Sequence, residues 1–201
     1  MKDLAIIVAD SNMEQTVKAA LLRPKSLGIR PITFDISTHP QRDSGMRVTG
    51  PQMLALQHRQ YNYGLIILDF VGSGSQCPNS IALERELDER IVSYWESRAK
   101  AIVIDPELDI WMWGSDNALK QIFGWPSEMH LRDWLQMKGV QFLPDRKPEQ
   151  PKEAIEKIMF ELKRPRSSAL YYEIASKISL HRCTDCAFLR LRETLQKWFP
   201  E

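Results

Sequence analysis

Three short apolar runs in this chain each stop at a carboxylate. Leu4-Ala5-Ile6-Ile7-Val8-Ala9 runs into Asp10, Leu65-Ile66-Ile67-Leu68 into Asp69, and Ala101-Ile102-Val103-Ile104 into Asp105, with Glu107 and Asp109 close behind. Continuous apolar runs of this length read as strands buried on both faces, as in a parallel sheet covered by helices. In such sheets ligands bind beyond the carboxyl ends of the strands. The pattern therefore predicts that acids from three strand ends converge, an oxygen-rich set suited to a hard divalent cation.

Between these runs the periodicity changes. Residues 4–9 read as the first strand. Met13, Val17, Ala20 and Leu21 place a helix over Asn12–Leu22, capped by Ser11 or Asn12 and ended at Arg23-Pro24. Pro31–Ile36 reads as the second strand. The polar, turn-rich stretch His39–Gly50 reads as a loop, followed by a helix over Pro51–Gln60 that starts on its proline. Gly64–Asp69 is the third strand and Gly72-Ser73-Gly74-Ser75 a turn. A long helix capped at Asn79-Ser80 follows, with Leu83, Leu87 and Ile91 on its apolar face, and Lys100–Ile104 is the fourth strand. Beyond Asp116 only helical patterns recur, near 116–123 and 130–138 and then over 151–162, 167–178 and 187–199, with a Pro-rich connection at 139–150. The expected architecture is α/β: a four-stranded, mainly parallel sheet flanked by helices over 1–115, with a helical C-terminal extension over 116–201 packed on it.

Composition narrows the class of protein. The chain has 201 residues and a formal net charge of +1, so no global basic field marks a nucleic-acid binder, although a local patch is still open. No apolar run approaches the ~20 residues that span a bilayer. Met1-Lys2-Asp3 leads straight into the first strand, and three cysteines make no disulfide framework. A cytoplasmic protein with reduced thiols is expected.

Five constellations could carry chemistry. Asp10 and Glu14 can face one strand-end crevice, or simply cap the helix and complement its dipole. Asp69 is a poor strand residue at the end of a buried strand, and the Gly-rich turn after it lets a backbone or phosphate approach closely. An Asx-type turn is the plainer explanation. Glu107, Asp109 and Asp116 follow the fourth strand. A proline-initiated helix explains one such acid better than several, and Trp111 and Trp113 are expected between the sheet and the extension. His181-Arg182-Cys183-Thr184-Asp185-Cys186 holds a Cys-x-x-Cys pair, but Cys77 is the only other cysteine, and thiols packed before the last helix are favoured over zinc. Lys163-Arg164-Pro165-Arg166-Ser167-Ser168, with Lys152 and Lys157 upstream, could contact a phosphate backbone or be a solvated loop.

Several of these stretches carry a resemblance. They are Val8-Ala9-Asp10-Ser11-Asn12-Met13-Glu14, Gly28 to Asp35, His39-Pro40-Gln41-Arg42-Asp43, Ile104-Asp105-Pro106-Glu107-Leu108, Arg164 to Leu170, and the ending from Arg182-Cys183-Thr184-Asp185 to Trp198-Phe199. Over nearly its whole length the chain resembles the Toprim-like small proteins of bacterial antiphage defence, and within them the small component of methylation-associated defence systems. The resemblance implies a Toprim-like α/β fold and an Mg²⁺ or Mn²⁺ site. Its metal-holding and catalytic acids would be Asp10, Glu14, Asp69 and Asp109, with Glu107 able to substitute, while Lys152 and Arg166 would hold phosphate. Where the Toprim pattern places a second acid two residues after Asp69, this chain has Val71.

That resemblance implies two alternative functions. One is a Mg²⁺-dependent phosphodiesterase, a nuclease or nuclease subunit. The other is a catalytically degenerate binding or assembly subunit docked to a larger defence complex, which Val71, the near-zero charge and six tryptophans favour. Expected partners are other defence-system proteins and nucleic acid, with no membrane. A second copy of the chain is left open as a partner. A dinucleotide enzyme is disfavoured, because Asp10-Ser11-Asn12 stands where the glycine fingerprint would follow strand one.

Overall fold

Four parallel strands form one sheet in the order β2-β1-β3-β4 in the computed structural model, which describes residues 1–126, 128–145 and 147–201. β1 spans Lys2–Val8, β2 Phe34–Thr38, β3 Tyr61–Asp69 and β4 Ala99–Ile104. The apolar runs are strands for the expected reason: Leu4, Ile6, Val8, Leu65, Ile67, Ile102 and Ile104 are all buried, together with the residues that alternate with them. The register sets Ile6 beside both Ile36 and Leu65, and Asp69 beside Ile104. β1 pairs with β2 on one side and β3 on the other. The chain therefore reverses its direction of travel across the sheet after β2, and a crevice opens between the carboxyl ends of β1 and β3.

Helices cover the sheet. α1 (Ser11–Leu21) and α2 (Pro24–Leu27) lead from β1 to β2, α3 (Arg42–Ala55) from β2 to β3, and α4 (Ser80–Trp95) from β3 to β4. A 3₁₀ turn over Leu108–Gly114 then leads into α5 (Asp116–Phe123), α6 (Leu131–Met137), α7 (Pro151–Glu161), α8 (Ser168–Lys177) and α9 (Cys186–Trp198). The last helices join the core of the sheet: α8 packs along α1 and α9 against β4. Trp111 lies edge-on to Phe188 and donates its Nε1–H to Asp185, which also caps α9 through the Phe188 N–H.

One expectation fails. The stretch His39–Gly50 is not a loop; most of it belongs to α3, which runs on through Pro51. Two contacts make this possible. The His39 ring accepts from the Gln41 N–H and bonds Thr49, closing the N-terminal turn over Gly45, where an added Cβ would sit 2.4 Å from that ring. Pro51 has no N–H to give the Arg47 carbonyl one turn back. The Arg90 guanidinium of α4 donates to the Arg47 and Val48 carbonyls instead.

The outer edge of β4 is closed by side chains. Ala101 N–H donates to Asp88, Val103 N–H donates to Glu84, and Arg190 of α9 donates to both Glu84 and the Val103 carbonyl. These bonds remove a template for another strand. Glu84 is buried (3% exposed), so its charge relies on Arg190 at 2.7 Å. Arg190→Met leaves that carboxylate buried without its partner and is expected to destabilise the fold by about 3 kcal/mol, read by urea denaturation.

Candidate functional site: an acidic cleft at the strand ends

The crevice between β1 and β3 is a cleft of about 190 Å³, with Asp10, Asp43, Asp69, Glu107, Asp109, Lys152 and Arg166 among its lining residues. Each acid arrives by a different local route. Asp10 follows β1 and caps α1, its Oδ1 accepting from the Asn12 and Met13 N–H groups at 2.9 Å. Asp69 ends β3, and its Oδ1 accepts from the Leu108 N–H at 2.8 Å, tying the strand to the turn after β4. Asp43 in the first turn of α3 accepts the Asp69 N–H on Oδ1, also at 2.8 Å. In all three, one carboxylate oxygen is held by backbone N–H and the other has no hydrogen bond among the described residues. Gly72, at φ +94°, turns the chain away from β3 close to the Asp43 carboxylate.

Asp109 and Glu107 are engaged differently. The buried Asp109 carboxylate accepts from the Tyr171 hydroxyl at 2.8 Å and from Arg166 at 3.4 Å. Arg166 also pairs with Glu156 and lies over the Tyr171 ring. Glu107 faces Lys152 at 3.8 Å. Asp109 therefore positions Arg166 and Tyr171, where the resemblance implied a metal-holding role for it. Helices beyond residue 116 supply Lys152 and Tyr171, and the loop between α7 and α8 supplies Arg166.

Negative charge is crowded here. Burial, and then the charges of Asp43, Glu107 and Asp109, hold the Asp69 carboxyl well above the usual carboxylate range. Burial chiefly raises Asp43 too, with Asp10 adding to it; burial and then Asp109 raise Glu107. Burial also raises Asp109, against the opposing pull of Arg166 and the Tyr171 hydroxyl. The neighbouring His39 ring is shifted the other way, downward, by burial.

Of the residues expected from sequence, Asp10, Asp69, Glu107, Asp109, Lys152 and Arg166 all line the cleft, and Glu14 does not. Glu14 stays in the first turn of α1 as a partly buried acid near the helix N-terminus. Val71 is on the rim, 58% exposed. Asp43 and Arg42 join the site although the sequence, which marked them only within the His39–Asp43 stretch of the resemblance, assigned them no site role. Arg42 takes a left-handed conformation (φ +51°) where the chain enters α3. Their signal was position, since they follow the second strand much as Asp10 follows the first. Cys183 is buried with its thiol pushed up by burial, and Cys186 is exposed.

As the side chains stand, no group of three or more His, Cys, Asp or Glu residues among the described residues is arranged to hold a metal ion by itself. Mg²⁺ rarely needs such a cage, because it is commonly held by one or two carboxylates plus waters and substrate phosphate oxygens. Asp69 and Asp43, adjacent and each with an unoccupied oxygen, fit that mode. Comparison with protein-family models, with curated proteins and with solved structures finds no match for this chain, so the chemistry of the cleft rests on its own geometry.

The raised Asp69 carboxyl has a consequence for stability. A group whose native pKa lies above its unfolded value adds stability at low pH and loses it as pH rises through the native value. Asp69→Asn keeps the Oδ1 acceptor and removes the charge. It is expected to stabilise the metal-free protein by about 1 kcal/mol at neutral pH, a gap that closes as pH falls toward the ordinary carboxylate range. Thermal melts of both proteins across that range in EDTA check this.

Proposed function

We propose that the cleft is a phosphodiester-binding site that works with Mg²⁺ or Mn²⁺, and that the chain is a Toprim-like phosphodiesterase component of a bacterial antiphage defence system acting on nucleic acid. The observation that carries the reading is the crowding of Asp10, Asp43 and Asp69, each with a free oxygen, at the switch point of a parallel sheet. Such repulsion is costly unless a cation or protons occupy the site. The Asp43 carboxylate beside Asp69 provides the second acid that Val71 lacks.

In this reading Asp69 and Asp43 would hold the cation, with Asp10 facing the same cleft. When bound, the cation supplies Lewis acidity toward the phosphate. Arg166, set by Asp109, Glu156 and Tyr171, and Lys152 beside Glu107 neutralise the phosphate oxygens. Glu107, with its proton affinity raised by burial and by Asp109, is the group suited to move a proton. A second reading, a cation- or phosphate-binding subunit without cleavage, is favoured by exposed Val71 at the rim.

Calorimetry with Mn²⁺ and Mg²⁺, followed by cleavage assays on labelled DNA and RNA, tests both. Binding weakened about tenfold or more in Asp69→Ala and in Asp43→Asn, with cation-dependent cleavage lost in both, is the expected result. Binding without cleavage of any substrate selects the second reading. Absence of cation binding to the wild type, with no cation-dependent cleavage, rules out the first reading and the cation-binding form of the second.

A further inference from the structure

A second hollow lies away from the acidic cleft, beyond the other end of the Leu108–Gly114 turn. It measures about 360 Å³, within the range of small-molecule sites, and is set between the start of α5, α6, the segment before α7 and the segment before α9. Its walls are rich in donors. Lys147 is buried (6% exposed) and ion-pairs with Asp185 at 3.6 Å and Asp145 at 3.9 Å, lengths that leave its ammonium donors free to turn toward the hollow. Trp113 is 5% exposed, and its buried Nε1–H has no acceptor. The Nε–H of Arg132 is likewise buried without an acceptor, although the same guanidinium pairs with Asp116. Arg182 has no carboxylate partner among the described residues. The N-terminus of α5, capped by Ser115, borders the same space.

Asp116 and Asp145 also line the hollow, but Asp116 is held by Arg132, and the Asp145 Oδ1 accepts the Lys147 N–H. The space is thus short of acceptors rather than of charge. Buried donors without acceptors each cost about 1–3 kcal/mol, and several around one cavity are satisfied together by one acceptor-rich ligand. The donors come from different elements: Trp113 from the turn after β4, Lys147 from the segment before α7 and Arg182 from the segment before α9. That arrangement suits the three outward oxygens of a phosphate better than a planar carboxylate. The helix N-terminus favours negative charge at the same point.

We infer that this hollow is a binding site for a small phosphomonoester, with Lys147, Arg182 and Trp113 as its donors. The site is separate from the strand-end cleft and does not depend on its function.

Inorganic phosphate and adenosine monophosphate serve as probes, by calorimetry on the full chain in EDTA, with Trp fluorescence as a second readout. Arg182 is exposed, so Arg182→Gln tests the site without disturbing the core. Trp113→Phe keeps an aromatic ring beside Phe142 and removes the donor together with part of the buried ring volume. Circular dichroism confirms that both variants fold. The expected result is binding of at least one probe at millimolar concentration or tighter, weakened about tenfold in Arg182→Gln and less in Trp113→Phe. Two results overturn the inference. One is no binding of either probe up to about 10 mM. The other is binding weakened by Arg166→Gln but not by Arg182→Gln, which places the anion in the acidic cleft.

Discussion

Everything in this fold depends on β1 pairing in parallel with β2 on one side and β3 on the other. Parallel pairing aims every strand's carboxyl end at the same edge of the sheet. The reversal of chain direction after β2 keeps the connections after β1 and β3 from closing over the space between them. The segments leaving the strands then become the walls of one cleft. Asp10 comes from the cap of α1, Asp43 from the start of α3, Asp69 from the end of β3, and Glu107 and Asp109 from the turn after β4.

That convergence carries an electrostatic cost, and the structure offsets it by hydrogen bonding rather than by distance. One oxygen of each of Asp10, Asp43 and Asp69 is fixed by backbone N–H groups; at Asp43 and Asp69 these favour the ionised form, while burial and neighbouring acids oppose it. For Asp69 burial and its neighbours win by a wide margin. A side chain kept in such surroundings when asparagine would fit the same hydrogen bond is better explained by what binds there than by the stability of the fold.

The C-terminal helices do more than cover the sheet. Arg190 of α9 completes the outer edge of β4, Tyr171 of α8 and Arg166 before it hold Asp109, and Lys152 of α7 faces Glu107. Opposite charge therefore reaches the cleft from a part of the chain more than forty residues beyond its last acid. On the far side of the Leu108–Gly114 turn, α5, α6 and the segments before α7 and α9 wall the donor-rich hollow, so this short segment has an acidic cleft at one end and a donor-rich hollow at the other.

The sequence by itself determined the strands, because runs such as Leu65–Leu68 have only one way to bury all their side chains, between two helical layers. It also marked helix starts through Asn79, Pro151 and Ser167, and placed Asp10, Asp69 and Glu107 at strand ends, whereas Pro24, read as a helix stop, opens the short α2. Only the tertiary structure decided the rest. The helix through His39–Gly50 was illegible because Pro51 breaks a local pattern that a distant arginine, Arg90, repairs. Asp43, though part of a stretch that carried the resemblance, was given no role in the site because its helix was read as a loop. Glu14 and Asp109 looked alike as acids near strand ends. A packed neighbour, Tyr171, occupies one, and the helix turn leaves the other outside the cleft. Local sequence encodes periodicity and chain reversal, but which oxygen meets which donor is set by residues far away in the chain, and only packing brings those together.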